Sequence, residues 1–133
     1  ITGFPGESDD SFERTYRFFS SLPVDYAHVF SYSRRDGTEA AGMADQVPER
    51  TKKLRTSRLR EAGEEKRHKF IERFIGRDLE VIVEKVSAKS KVCQGTSDNY
   101  IKVEWKGESF DRTLPANVHI TGRNGDRAVG TRR

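Results

Sequence analysis

Three clusters in this 133-residue chain bring together side chains and backbone suited to binding a ligand. Gly3-Phe4-Pro5-Gly6-Glu7 puts two glycines and a carboxylate into a turn, where backbone lacking Cβ atoms lets a ligand come close. Arg35, just ahead of Gly37-Thr38, offers a planar guanidinium fork to a phosphate or carboxylate. Further on, Asn99, Tyr100, Lys102 and Trp105 interleave polar, aromatic and cationic groups, and Lys89, Lys91, Arg112 and Arg123 add positive charge. Aromatic faces beside cations are what single-stranded or looped RNA requires, one for stacking and the other for phosphates.

Each residue also has a plainer reading. Glu7 can sit at a helix dipole, Arg35 can bridge to Asp36, Asn99 can satisfy its own turn, and Trp105, alternating with charged residues, is better suited to a core than to an RNA face. Cys93 is the only cysteine and reads as a small buried hydrophobe. It excludes an internal disulfide and any zinc or iron-sulfur site built solely from this chain's thiolates. His28 reads as a hydrogen-bonded core residue of a strand and His68 as a solvated helix residue. His119 has no evident partner, and no metal-ligand spacing joins the three.

Charge is unevenly spread. Residues 1–47 hold four Lys/Arg against eight Asp/Glu, residues 48–76 ten against five, and residues 77–133 eleven against eight. The basic excess after Val47 points to a polyanion, because clustered Lys and Arg release counterions from a phosphate backbone. A solvated helix face explains the same count equally well. No apolar run is long enough to span a membrane and no basic-then-apolar leader opens the chain, so a cytoplasmic protein is expected.

The elements that must position these groups follow from periodicity. Ser8 with Asp9 and Asp10 reads as a helix start; Phe12, Tyr16 and Phe19 form its apolar face, and Leu22-Pro23 closes it. Residues 26–32 have strand character, so the opening segment is most of a βαβ unit. Its parallel strands need neighbours that the chain does not supply, which predicts partly uncovered Phe4, Phe12, Phe18, Phe19 and Phe30. Pro48 opens a long helix ending near Ile75 and Gly76. Leu54, Leu59, Ala62, Phe70, Ile71 and Phe74 are its packing residues, and its lysines and arginines are expected in water. From Arg77 the period becomes 2, and Asn124-Gly125 is the strongest hairpin signal. The fold class predicted is α+β: a partial (β/α) barrel segment, a basic helix, and a small antiparallel β-barrel.

Taken in order, these residues resemble the C-terminal third of the radical-SAM methylthiotransferases. Gly3-Phe4-Pro5-Gly6-Glu7 with Phe12 is similar to that family's GFPGE segment. Tyr32-Ser33 and Arg35-x-Gly37-Thr38-x-Ala40 are similar to its YS-x-R-x-GT-x-A segment. Val47-Pro48, Gly76 and Gly95-x-Ser97-Asp98-Asn99-Tyr100 resemble the family's positions further toward the C-terminus, the last within a TRAM domain, an OB-like RNA-binding barrel. Ser31 and Asp36 stand where the family usually has proline, and Ser97 where it has threonine.

The resemblance implies residues 1–47 as the end of a radical-SAM barrel, 48–76 as a connector helix and 77–133 as the TRAM domain. It implies S-adenosylmethionine near Gly3, Phe4, Gly6 and Glu7, two 4Fe-4S clusters held by cysteines upstream in a parent enzyme, and tRNA rather than DNA or membrane as partner. The segment alone is then expected to be inactive. Arg35 and Tyr26-Ala27-His28-Val29-Phe30 look most like the branch acting on N6-threonylcarbamoyladenosine beside the anticodon; the isopentenyladenosine and ribosomal-protein branches are the alternatives within the family. The main rival is a stand-alone RNA-binding module, against which stands a chain that begins at Ile1 in mid-strand.

Overall fold

The computed structural model describes residues 1–87, 89–107 and 114–133. They form two compact units, Ile1–Lys66 and Arg67–Arg133, divided within one long helix.

In the first unit, α1 (Asp9–Ser21) starts where its cap predicts: the Ser8 hydroxyl accepts the Ser11 amide at 3.1 Å, with Asp9 and Asp10 in the first turn. Leu22, ahead of Pro23, leaves the helix in an extended conformation. A one-turn helix, α2 (Glu39–Gly42), comes after the cap residue Thr38; four residues are too few to show periodicity. The strand expected over residues 26–32 is only a parallel bridge between Thr2 and Ser31. The Thr2 amide donates to Phe30 O at 2.9 Å and the Tyr32 amide to Thr2 O at 2.8 Å. A parallel strand is held by neighbours on the sheet, and a lone bridge cannot propagate one.

The long helix α3 (Glu49–Glu72) corrects the expected packing. Leu54 is exposed, whereas Lys52, Arg55 and Thr56 are buried in line with Leu59 and Ala62. Arg55 donates to Glu7 and Asp9, each at 2.7 Å, Arg58 pairs with Glu13, and Lys66 donates to Ser20 O and Leu22 O at 2.9 Å. This order makes α1 and this part of α3 run in the same direction. The Lys66 ammonium meets the carbonyl end of α1, where a cation is favoured. Phe12, expected to be partly uncovered, is buried, with the Arg55 and Arg58 guanidinium groups 5.5 and 5.2 Å from its ring. Phe4, Phe18 and Phe30 are exposed. Much of the helix's positive charge is therefore spent inside this unit.

In the second unit, β1 (Asp78–Ser87), β2 (Val92–Ser97), β3 (Lys102–Lys106), β4 (Ala116–Asn124) and β5 (Arg127–Arg132) close a barrel in the order β1-β2-β3-β5-β4. The barrel is mixed rather than wholly antiparallel, because β3 and β5 pair in parallel. An odd number of strands cannot alternate in direction all round a ring, so one like-directed pair is unavoidable. Inward residues Leu79, Val81, Val83, Ile101, Val103, Trp105, Val118 and Ile120 make the core, joined by Ile71 from the last turn of α3 with Phe70 and Phe74 against it. Cys93 and Trp105 are both buried, the packing roles read for them from the sequence. The hairpin turn is shifted one residue from Asn124-Gly125: Asn124 pairs with Arg127, leaving Gly125-Asp126 as the loop, with Gly125 at φ +60°.

Candidate nucleic-acid interface

The turn joining β2 to β3 presents the most exposed aromatic among the described residues of the barrel. The Ser97 hydroxyl accepts the Ile101 amide at 3.1 Å and lies 2.6 Å from Asn99 Oδ1; the Tyr100 amide donates to Ser97 O at 2.9 Å. These bonds hold Tyr100 at φ +62°, a left-handed conformation rare for a bulky residue and kept only where the surroundings over-determine it. Arg67 Nη2 reaches the Tyr100 carbonyl at 2.5 Å. Tyr100 is left 80% exposed, its backbone fixed by the turn and its ring open to stacking. Trp105, by contrast, is inside and has no face to offer.

Lys102 and Arg123, both read as phosphate ligands, are already engaged. Lys102 Nζ lies 3.2 Å from Glu84 Oε1 and 2.6 Å from Thr96 Oγ1, while Thr96 Oγ1 donates to Glu84 at 2.5 Å. Thr96 first, and Lys102 second, hold the Glu84 carboxyl below the usual carboxylate range. Arg123 Nη2 pairs with Glu72 at 3.2 Å. Lys89 and Lys91 are exposed at the β1–β2 turn. Lys85, which strand alternation gives no reason to single out, faces outward beside them because a bulge between Val83 and Lys85 puts Glu84 and Lys85 on the same surface. Arg112 lies outside the described residues.

His119, for which the sequence offered no partner, has Asp78 at 2.5 Å and Arg133 at 3.2 Å from Nδ1. His28, expected in a core, is exposed and bonded to the Tyr26 hydroxyl. The strand that was to bury it does not propagate.

In the first unit, Gly3 and Gly6 have φ +72° and +83°. The Gly3 amide donates to Glu7 Oε1 at 2.9 Å and the Gly6 amide to Asp45 O at 2.8 Å. Burial lowers the Arg55 pKa, but hydrogen bonds to Asp9 and Glu7 outweigh it and the net direction is upward. The Glu7 carboxylate thus staples its own turn to α3. An open cleft of about 500 Å³ lies alongside, lined by Gly6, Glu7, Asp9, Gln46, Thr51 and Arg55 among others. What the turn leaves for a ligand is the Phe4 ring and the open space at the Gly6 Cα. Arg35 is exposed, its carbonyl accepting the Thr38 hydroxyl at 2.7 Å, and its guanidinium has no carboxylate partner among the described residues.

No family model matches the chain. Against curated proteins it is 36% identical over 107 residues to the threonylcarbamoyladenosine tRNA methylthiotransferase of Aquifex aeolicus, covering 80% of this chain and 25% of that protein. With the ribosomal protein uS12 methylthiotransferase of Aromatoleum aromaticum it shares 40% identity over 98 residues, 74% of this chain and 22% of that one. With the tRNA-2-methylthio-N(6)-dimethylallyladenosine synthase of Acinetobacter baumannii it shares 34% over 122 residues, 91% of this chain and 25% of that one. The chain is homologous to the C-terminal quarter of the methylthiotransferases. It spans about a quarter of the length of the curated relatives it matches. The three methylthiotransferase branches are matched at similar identity, so likeness alone does not choose among them.

The iron-sulfur clusters implied for methylthiotransferases do not fit the residues of this segment. Cys93, the one thiol, points into the barrel with Sγ 3.7 Å from Gly107 O. No group of His, Cys, Asp and Glu among the described residues is placed to hold a metal ion. Among the same residues, no helix is long and apolar enough to cross a membrane.

Proposed function

We propose that this chain is the tRNA-gripping part of a radical-SAM methylthiotransferase that modifies N6-threonylcarbamoyladenosine beside the anticodon, with the barrel as its RNA-binding module. The observation that carries the reading is a closed five-stranded barrel presenting a locked, exposed Tyr100, in a chain similar over 80% of its length to threonylcarbamoyladenosine tRNA methylthiotransferases. The branch assignment rests on Arg35 and residues 26–30; the parent's S-adenosylmethionine is assigned to the open Phe4 and Gly6 side of the turn, and its clusters to cysteines outside this segment. Residues 1–47, 48–76 and 77–133 then serve as barrel end, connector and TRAM domain.

Tyr100 stacks on a base of the tRNA, and cations of the barrel surface neutralise its phosphates. Titrating the chain with tRNA over a salt series tests this. Affinity should fall steeply with salt, and Tyr100→Ala should weaken binding by about 1–3 kcal/mol while leaving the salt slope unchanged. Absence of binding at low salt overturns the RNA assignment. Because a ribosomal-protein methylthiotransferase matches at 40% identity, uS12 is the competing substrate, and binding of that protein in place of tRNA would move the chain to that branch.

A further inference from the structure

We propose that the tRNA backbone is held at the rim of the barrel formed by the β1–β2 turn and the end of β3, through Lys85, Lys89 and Lys106, and not at Lys102 and Arg123. This rests on the RNA-binding reading and says where on the barrel it acts. The two ends of the barrel differ in charge economy. At the end carrying Tyr100, the last turn of α3 packs Ile71 into the core and each of the two cations is engaged: Lys102 by Glu84, Arg123 by Glu72 and by Gly125 O at 2.7 Å. A phosphate arriving there must displace a carboxylate.

Among the described residues, three lysines of the opposite rim meet no such competition. Lys85, Lys89 and Lys106 are exposed and have no carboxylate partner among the described residues. The nearest described carboxylates along these strands are turned elsewhere, Glu84 to Thr96 and Lys102, and Glu104 to Asn124 Nδ2 at 3.2 Å. Register brings the lysines together: Lys85 lies opposite Gln94, Ser87 opposite Val92, and Val92 opposite Lys106, while the Gly107 amide donates to Lys91 O at 2.9 Å. Two strand spacings put the β1 and β3 backbones about 10 Å apart. That is roughly one Debye length at about 0.1 M salt, so at low to moderate salt the three ammonium groups act on a polyanion as one field. The bulge at Glu84 is what adds Lys85 to this surface.

The test uses the 133-residue chain and unfractionated tRNA. The variant K85A/K89A/K106A should bind at least about tenfold more weakly at low salt, with the slope of log K against log salt flatter by roughly 2 to 3 units. K102A and R123A should keep the slope of the unaltered chain. Far-UV circular dichroism and the melting profile check that the triple variant folds. Lysine acetylation footprinting of the unaltered chain gives a second readout, with tRNA expected to protect Lys85, Lys89 and Lys106 and leave the reactivity of Lys102 unchanged. Normal tRNA binding with an unchanged slope in the triple variant overturns the rim and leaves the RNA reading standing. An unaltered chain that fails to bind tRNA overturns both. Binding of anionic vesicles in place of tRNA would give the rim to a membrane surface and also overturn it.

Discussion

At the residue scale, position in the chain predicted charge but not what charge would do. Lys52 and Arg55 are the clearest case: a run of cations on a helix reads as a wet face, yet both are buried, Arg55 because Glu7 and Asp9 come to it from far away in sequence, and Lys52 paired with Glu49 on its own helix and within 3.4 Å of the Tyr32 carbonyl. A buried guanidinium is tolerated only when paired and hydrogen-bonded. Glu84 shows the same logic at the barrel surface and yields a test. Its pKa is depressed, through Thr96 first and Lys102 second. A depressed folded pKa contributes stability that is present above the unfolded value and lost as pH falls through the lower folded one, so its loss sets in only as pH falls into the ordinary glutamate range and below. Thr96→Val keeps the β-branched shape and removes the donor. Carboxyl NMR titration should then show the Glu84 pKa rising; an unmoved titration would mean that the hydrogen bond is not what holds it down.

At the element scale, strands whose inward residues are apolar were legible and β2 was not. Its inward positions are Cys93, Gly95 and Ser97, small or polar residues that give no alternation of hydrophobicity. Their size answers a packing need, because the barrel wall curves tightly. A Cβ on Gly95 would lie 2.2 Å from the Ile82 carbonyl oxygen, and one on Gly130 2.4 Å from that of His119. Both obstacles are backbone, which cannot rotate away. Gly130 also lies on β5 opposite Trp105, where the parallel pair closes the ring. Gly130→Ala is therefore expected to destabilise the barrel by about 1–3 kcal/mol or more, as overpacking does. Denaturant unfolding followed by Trp105 fluorescence would check this, and an unchanged midpoint would show that the wall can relax.

At the scale of the whole molecule, the segment holds apolar surface that its own residues do not cover: Ile1 is 78% exposed, Phe18 64%, Phe30 59% and Tyr26 54%. Exposed apolar surface of this kind promotes association. Sedimentation of the 133-residue chain should show concentration-dependent self-association, abolished or weakened by Phe18→Ser/Phe30→Ser. A strictly monomeric chain at high concentration would contradict it.

Local sequence was enough for the α1 cap, the extent of the long helix, the barrel strands whose inward residues are apolar and the family likeness, because caps, periodicities and short motifs are written in neighbouring residues. The rest depended on how distant segments meet. The parallel β3–β5 closure follows from ring parity, the burial of Arg55 from carboxylates more than forty residues away, and the outward Lys85 from a bulge. Which barrel cations are spent on Glu72 and Glu84, and which remain for a partner, depends on pairings across strands and helix that no window of sequence contains. Electrostatic partners are chosen by distance in space, and the fold alone sets that distance.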